Sequence, residues 1–249
     1  MSAQKFLKLT PSQVRRKEFD GMGSNRIALP YRGELNWQHM LNFYRLRAIE
    51  GVELVSDESY QRNVCLDTSK AWFKATKGEG YLELAFEIED VTKLQNLVSD
   101  IRRMFDLDAD ICTVEQHLDY VAPGLVSSKG IRIPGVWNAW EAGVRAILGQ
   151  QVSVKAAIGQ LNLLVTTLSG ESEKRFFPTP DAIANTDVSF LDRWGGLESG
   201  HFMHRLSEYC STWCTSLRAR RSVHTALTAA CSDLTAHSPS AGGGGWLWA

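Results

Sequence analysis

No stretch of this chain approaches the roughly 18 consecutive apolar residues that a membrane-crossing helix needs, so a bilayer role is excluded. Met1 to Lys17 is polar and has no apolar h-region, so it does not read as a secretory signal, and a cytoplasmic location is the expectation. Cysteine is scarce: five residues, an odd number with no C-x-x-C spacing, point to reduced thiols rather than a disulfide framework. Neither sign of charge dominates, with 27 Lys and Arg against 28 Asp and Glu and a formal net charge of −1. That balance excludes a small basic histone-like binder. It leaves room for a protein that touches nucleic acid through one local patch, because Coulomb attraction is screened over ~10 Å. His201, His204, Cys210 and Cys214 stand as H-x2-H-x5-C-x3-C, which is not a standard zinc spacing, so neither a metal nor another cofactor is expected. What is present is ordinary for a globular protein: 44% apolar and 22% charged residues in 249, enough for one large domain or two smaller ones.

The chain divides into four stretches. Residues 1–24 are polar and end in the loop-like Gly21-Met22-Gly23-Ser24; within them Thr10 and Pro11 make a sound helix start. Residues 25–121 read as an α+β domain. Asn36 to Arg47 is helical, with Trp37, Met40, Leu41 and Tyr44 on one face. Tyr60–Leu66 and Ala71–Thr76 are candidate strands, and Lys77-Gly78-Glu79-Gly80 is a turn. Tyr81–Ile88 then alternates, placing Leu82, Leu84, Phe86 and Ile88 on one face, as an antiparallel hairpin requires. Asp90 is expected to cap an amphipathic helix whose buried face carries Val91, Leu94, Leu97, Val98, Ile101, Met104 and Phe105. Strands gathered between helices predict a small antiparallel sheet with helices on one side.

Residues 122–190 read as a mostly helical, incomplete domain. Pro123-Gly124 and Pro134-Gly135 are breaks, Val136–Leu148 is a helix, and a second runs from about Ser153 to Leu168 with Ala157, Leu161, Leu164, Val165 and Leu168 on its face. Pro178-Thr179-Pro180-Asp181 begins a short third helix. Trp137 and Trp140 are expected in the core, and Arg102-Arg103 as solvated charge. Residues 191–249 differ in texture: three of the five cysteines fall here, no helical period persists, and the end is Gly242–Gly245 followed by Trp246-Leu247-Trp248-Ala249. This tail is expected to be disordered or out of frame.

The informative stretch is Ile133-Pro134-Gly135 followed by Trp140-Glu141-Ala142-Gly143-Val144-Arg145-Ala146-Ile147-Leu148-Gly149-Gln150-Gln151-Val152-Ser153. By residue type it is a helix ending at Gly149, two glutamines in a turn, and a new helix capped near Ser153. Two adjacent long amides at such a junction can enter a duplex groove; an exposed helix–helix corner has the same pattern.

This stretch closely resembles the signature of the DNA-3-methyladenine glycosylase II family, within the helix-hairpin-helix glycosylase group. Leu29-Pro30-Tyr31, Asn36-Trp37 with Met40-Leu41 and Phe43, Gly51-Val52-Glu53, Ile101–Leu107 and Phe177-Pro178-Thr179-Pro180 match in the same order, so the likeness covers about two-thirds of the chain. Residues 6–17 resemble the end of an arabinose-regulator-type helix-turn-helix, as found in alkylation-repair fusion proteins. The resemblance implies a base-excision enzyme that hydrolyses the N-glycosidic bond of 3-methyladenine and similar alkylated bases after flipping them out of the duplex. Its partner would be double-stranded DNA with alkylated bases, and a monomer is expected. The resemblance puts Gln151 at the gap-filling wedge with Gln150 beside it, and Phe43 in the base pocket, where an aromatic face attracts a cationic alkylated purine by about 0.5–2 kcal/mol.

The resemblance also implies a catalytic aspartate after a hairpin of the type Leu-x-Gly-Ile-Gly-x-x-Thr-Ala, which grips a phosphate through its backbone N–H groups. Residues 188–249 contain no such hairpin: Asp192 lies too early and Asp233 has no hairpin before it. No catalytic residue is therefore assigned. The alternatives to an enzyme are a non-catalytic DNA-damage binding or regulatory protein and a non-functional fragment, and the helices of 136–169 are expected to expose apolar faces.

Overall fold

The computed structural model describes residues 25–149, 152–169, 172 and 174–186. Five strands form one antiparallel sheet: β1 (Asn25–Pro30), β2 (Glu53–Val55), β3 (Ser59–Leu66), β4 (Ser69–Lys77) and β5 (Tyr81–Ile88), in the spatial order β1-β5-β4-β3-β2. The two central hairpins follow from their turns. Asp67 adopts a positive φ of 57° between β3 and β4, and Gly80 one of 77° between β4 and β5, where Gly78 N–H donates to the Tyr81 carbonyl at 2.8 Å. The alternation of β5 holds as expected, with Leu82, Leu84 and Phe86 buried and Ile88 packed against the core. Pro30 ends β1 at the edge of the sheet, where a missing N–H costs no central ladder bond.

Two helices cover the apolar face. The first, α1 (Trp37–Arg45), is capped by Asn36, whose side chain accepts from His39 N–H; Trp37, Met40, Leu41 and Tyr44 face the sheet. The second, α2 (Leu94–Met104), buries Leu97, Val98, Ile101 and Met104, followed by Phe105. The core between them is aromatic, with Tyr60, Phe105, Trp37 and Tyr44 meeting edge-on or tilted at 4.8 to 5.7 Å between ring centroids.

Three expectations need correction here. Asp90 caps a single 3-10 turn, Val91–Lys93, rather than α2 itself, and Val91 is 69% exposed. Three residues per turn rotate Val91 off the stripe that the later residues share. Arg102 is not solvated: its guanidinium is buried, forks onto Asp108 at 2.7 and 3.1 Å and donates to the Pro30 carbonyl. A further helix, α3 (Ile111–Val121), has no counterpart among the sequence expectations; Asp110 caps it and Ile111 alone on it is buried.

The helical part begins three residues later than expected, at Ala139 rather than Val136. Trp137 leaves it to stack on Phe73 in the sheet core, with centroids 5.9 Å apart. Asn138 accepts from Glu141 N–H, so α4 runs Ala139–Leu148 and not from Val136. It is followed by α5 (Val154–Ser169) and the short α6 (Pro180–Ala184), which Thr179 caps and Pro180 opens. Val144, Ile147 and Leu148 of α4, Leu161, Leu164 and Val165 of α5 and Ile183 of α6 form a second apolar core with Ile49 and Val52 from the α1–β2 loop. Trp140 is half-buried at its margin and donates to the Pro178 carbonyl. The apolar faces of α4 and α5, expected to be exposed, are instead buried in this core, while Leu163, Val152 and Val154 are exposed singly. The α+β class, with a small antiparallel sheet followed by helices, is as expected. No helix among the described residues is long and apolar enough to cross a membrane. Residues 1–24, the tail after 186 with Asp192, His201, His204, Cys210, Cys214 and Asp233, and the two glutamines 150 and 151 lie outside the described residues.

Candidate nucleic-acid interface

Where α4 meets the sheet, four charged side chains close a buried ring. Arg62 sits at an inward position of β3, in step with Tyr60, Val64 and Leu66, so the strand's own alternation drives its charge into the core. It is answered on two sides, by Glu53 of β2 at 2.9 Å and by Glu141 of α4. Arg145, one helical turn after Glu141, binds Glu141 at 2.8 Å and Glu53 at 2.9 Å. Two cations and two anions thus cancel within one pocket, the condition under which burial of charge is tolerated.

The carboxylate of Glu53 is saturated. One oxygen accepts from Tyr60 Oη at 2.5 Å and Arg62 Nη1, the other from Ile49 N–H at 3.0 Å and Arg145 Nη2. Burial alone would push its pKa up, yet Arg62, Arg145 and the donated hydrogen bonds hold it below the usual carboxylate range. The same negative charge, added to burial, keeps the Tyr60 and Tyr44 hydroxyls above their ordinary range, so both stay protonated as donors. Tyr44 Oη lies 2.9 Å from the Met104 and Gly135 carbonyls, tying α1 to α2 and to the Pro134-Gly135 break.

Phe43 stands at the rim of this arrangement. It is half-buried against the sheet core and meets Tyr44 edge-on at 5.5 Å. The Arg47 guanidinium lies 3.9 Å above its ring centroid, within cation–π range, and donates to the Phe43 carbonyl. Burial and the neighbouring Arg145 lower the pKa of Arg47. Arg145 Nη1 in turn donates to the Arg47 carbonyl at 2.9 Å.

At the other end of α4, Gly149 closes the helix by donating to the Arg145 carbonyl at 3.0 Å, and a Cβ there would come within 2.9 Å of that oxygen. Beyond it, Ser153 starts α5 by accepting from Ala156 N–H. A helix end and a helix start, as expected from the sequence, therefore flank residues 150 and 151. The structure brings Phe43 and the end of α4 to one region through Arg145. Sequence reasoning gave no role to Arg145, Glu53, Arg62, Glu141 or Arg47. The available signals were the inward place of Arg62 and the four-residue spacing of Glu141 and Arg145 on an otherwise apolar helix face.

The four charges of the ring hold the sheet and α4 together and are not placed for bond cleavage. Glu53 and Glu141 are sealed from solvent and each engages two arginines, so neither can approach a sugar. Among the described residues no cluster of His, Cys, Asp and Glu could hold a metal ion.

Comparison with known proteins fits this arrangement. Residues 26–138 match the AlkA N-terminal domain. The chain is 32% identical over 169 residues to DNA-3-methyladenine glycosylase 2 of Escherichia coli, covering 64% of this chain and 58% of that protein. It is 27% identical over 179 residues to a probable bifunctional transcriptional activator/DNA repair enzyme AlkA of Mycobacterium tuberculosis, covering 68% of this chain and 36% of that protein. The chain thus spans little more than half of one relative and about a third of the other. The fold superposes on a 3-methyladenine DNA-glycosylase from Archaeoglobus fulgidus with a TM-score of 0.60 at 17% identity, over 73% of this chain and 65% of that one. The sheet with its two covering helices, the order of its matched segments and these relatives agree: residues 26–138 are an AlkA N-terminal domain.

Proposed function

We propose that this protein acts in base-excision repair of alkylated DNA, receiving an extruded alkylated base and hydrolysing its N-glycosidic bond as a DNA-3-methyladenine glycosylase. The observation that carries this reading is the pairing of a rim aromatic, Phe43, with a glycine-closed helix end in a chain with an AlkA N-terminal domain. An alkylated purine carries positive charge, and the Phe43 face holds the Arg47 cation at stacking distance, which supports its reading as a ring that accepts one. A normal neutral base lacks that attraction. Gln151, with Gln150 beside it, fills the space left in the duplex. The chain works as a monomer on double-stranded DNA in the cytoplasm, with residues 25–121 as the α+β domain and 122–190 as part of the helical one.

Incubation with methylated duplex DNA and chromatography of the released bases tests the reading. Free 3-methyladenine supports it, and its absence together with no preference for alkylated duplex refutes it. A second reading, lesion recognition without cleavage, is favoured by the neutralised state of Glu53 and Glu141; binding of alkylated duplex without base release would select it.

A further inference from the structure

Of the four charges in the buried ring, Arg145 is the least enclosed, with 17% of its side chain exposed against 3% or less for the others. Arg62 by itself already contacts both carboxylates, and Arg145 supplies the second cation that balances them. Arg145 adds two things that Arg62 does not. Its Nη1 fixes the backbone carbonyl of Arg47, the residue whose guanidinium covers Phe43. Its side chain leaves α4 itself, one turn before the Gly149 that closes that helix, so its contacts act directly on the helix end. Glu53 and Glu141, gripped by the same guanidinium, anchor it to the sheet and to the helix together. A shift of Arg145 must therefore move the α1 exit and the α4 exit at once.

We infer that Arg145 is a positioning residue that holds the end of α4 at a fixed distance from the Phe43–Arg47 turn, and that this distance sets the preference for an alkylated base over a normal one. The inference rests on the reading of Phe43 as the base-pocket ring. Its physical basis is that a recognition pair spread over two elements works only when both are held within a few tenths of an ångström. A displacement of about 1 Å from a distant change costs on the order of a hundredfold.

The full chain carrying Arg145→Met with Glu53→Gln provides the test, because it removes one cation and one anion and leaves the neutral Arg62–Glu141 pair. Arg145→Lys keeps the charge but loses the fork, and serves where the double variant does not unfold cooperatively. The probes are a duplex with a single 7-methylguanine and the same duplex undamaged, with amide hydrogen exchange followed in residues 43–49 and 143–149. The expected result is a loss of about ten- to hundredfold in the ratio of the two affinities with undamaged-duplex affinity unchanged. Exchange should quicken in both segments together, with partial recovery in Arg145→Lys. An unchanged ratio in a folded variant, or exchange that quickens in neither segment or in one alone, overturns the inference. A wild-type ratio of one instead defeats the reading of Phe43, and the exchange result still decides whether Arg145 couples the two segments.

Discussion

Replacing Glu53 by glutamine changes one oxygen to an amide and nothing in size, which makes it a direct measure of the buried ring. The native carboxylate accepts four hydrogen bonds, two per oxygen, from Tyr60, Arg62, Ile49 and Arg145. Turned toward Ile49 and Arg145, the glutamine NH2 meets two donors; turned toward Tyr60 and Arg62 it meets one, because the tyrosine hydroxyl can accept instead. Each buried donor stranded in this way costs about 1–3 kcal/mol. The ring is also left with two cations and one anion, and breaking a buried pair costs on the order of 3–5 kcal/mol. The two figures describe one event from two sides, so the expected loss is about 3–5 kcal/mol in urea unfolding at pH 7.

The pH dependence separates this explanation from simple loss of packing. The folded-state pKa of Glu53 is depressed, so its charge contributes stability that is fully present above the unfolded value of about 4.3 and is lost as pH falls through the folded value. Glu53→Gln has no such contribution to lose. The gap between wild type and variant should therefore be widest near neutrality and narrow below about pH 4.3. Adding Arg145→Met restores neutrality, and the double variant should cost less than the sum of the single ones by about 1–3 kcal/mol. A loss under ~1 kcal/mol for Glu53→Gln, or a gap that stays constant into acid, would refute the account of the ring as a charge-balanced unit.

Arg132 offers a contrasting case: its guanidinium is buried and donates to the carbonyls of Arg32, Glu34, Asp106 and Ala109, joining three loops without a carboxylate among those bonds. Arg132→Met should cost about 2–4 kcal/mol in urea unfolding, from several charged hydrogen bonds lost and carbonyls left dry. Leu164→Ala should cost about 2–5 kcal/mol if α5 is seated in the second core as its full burial indicates, and a loss near zero would show that helix to be unseated. Val91→Ser should change stability by no more than about 0.5 kcal/mol by thermal unfolding, since Val91 lies on the 3-10 turn and faces solvent.

The elements that sequence reading recovers best are those whose period matches their burial. The strand Tyr81–Ile88 and the helices from Trp37 and Val154 show their buried faces as alternation or as helical stripes, and the second helix is capped at Ser153 as expected. Failures occur where one local rule yields to another. Val91 continues the helical stripe on paper, but the chain enters α2 through a tighter turn. Val136 opens the helix of α4 on paper, yet Asn138 caps it, and Trp137 lies in the sheet core as expected. Arg102 looks like surface charge because its partners, Asp108 and the carbonyl of Pro30, are defined only once α2 has docked.

The site divides along the same line. Its recognisable part, from the Pro134-Gly135 break to Ser153, is a run of neighbours in sequence, so helix ends, glycine and capping residues declare it locally. What holds that part in place is long-range: Arg145 reaches Glu53 across 92 residues and the Arg47 carbonyl across 98, and Arg62 reaches Glu141 across 79. An arginine at an inward strand position admits many partners until the fold selects one, because any carboxylate brought opposite it would satisfy the charge. Glu141 and Arg145 at four-residue spacing could equally have been a surface pair worth a few tenths of a kcal/mol. Docking of α4 on β2 and β3 turns that local pair into a joint between two elements. The motif accordingly carries its resemblance in residues close in sequence, while the geometry that a motif needs in order to act depends on charges placed by the preceding sheet.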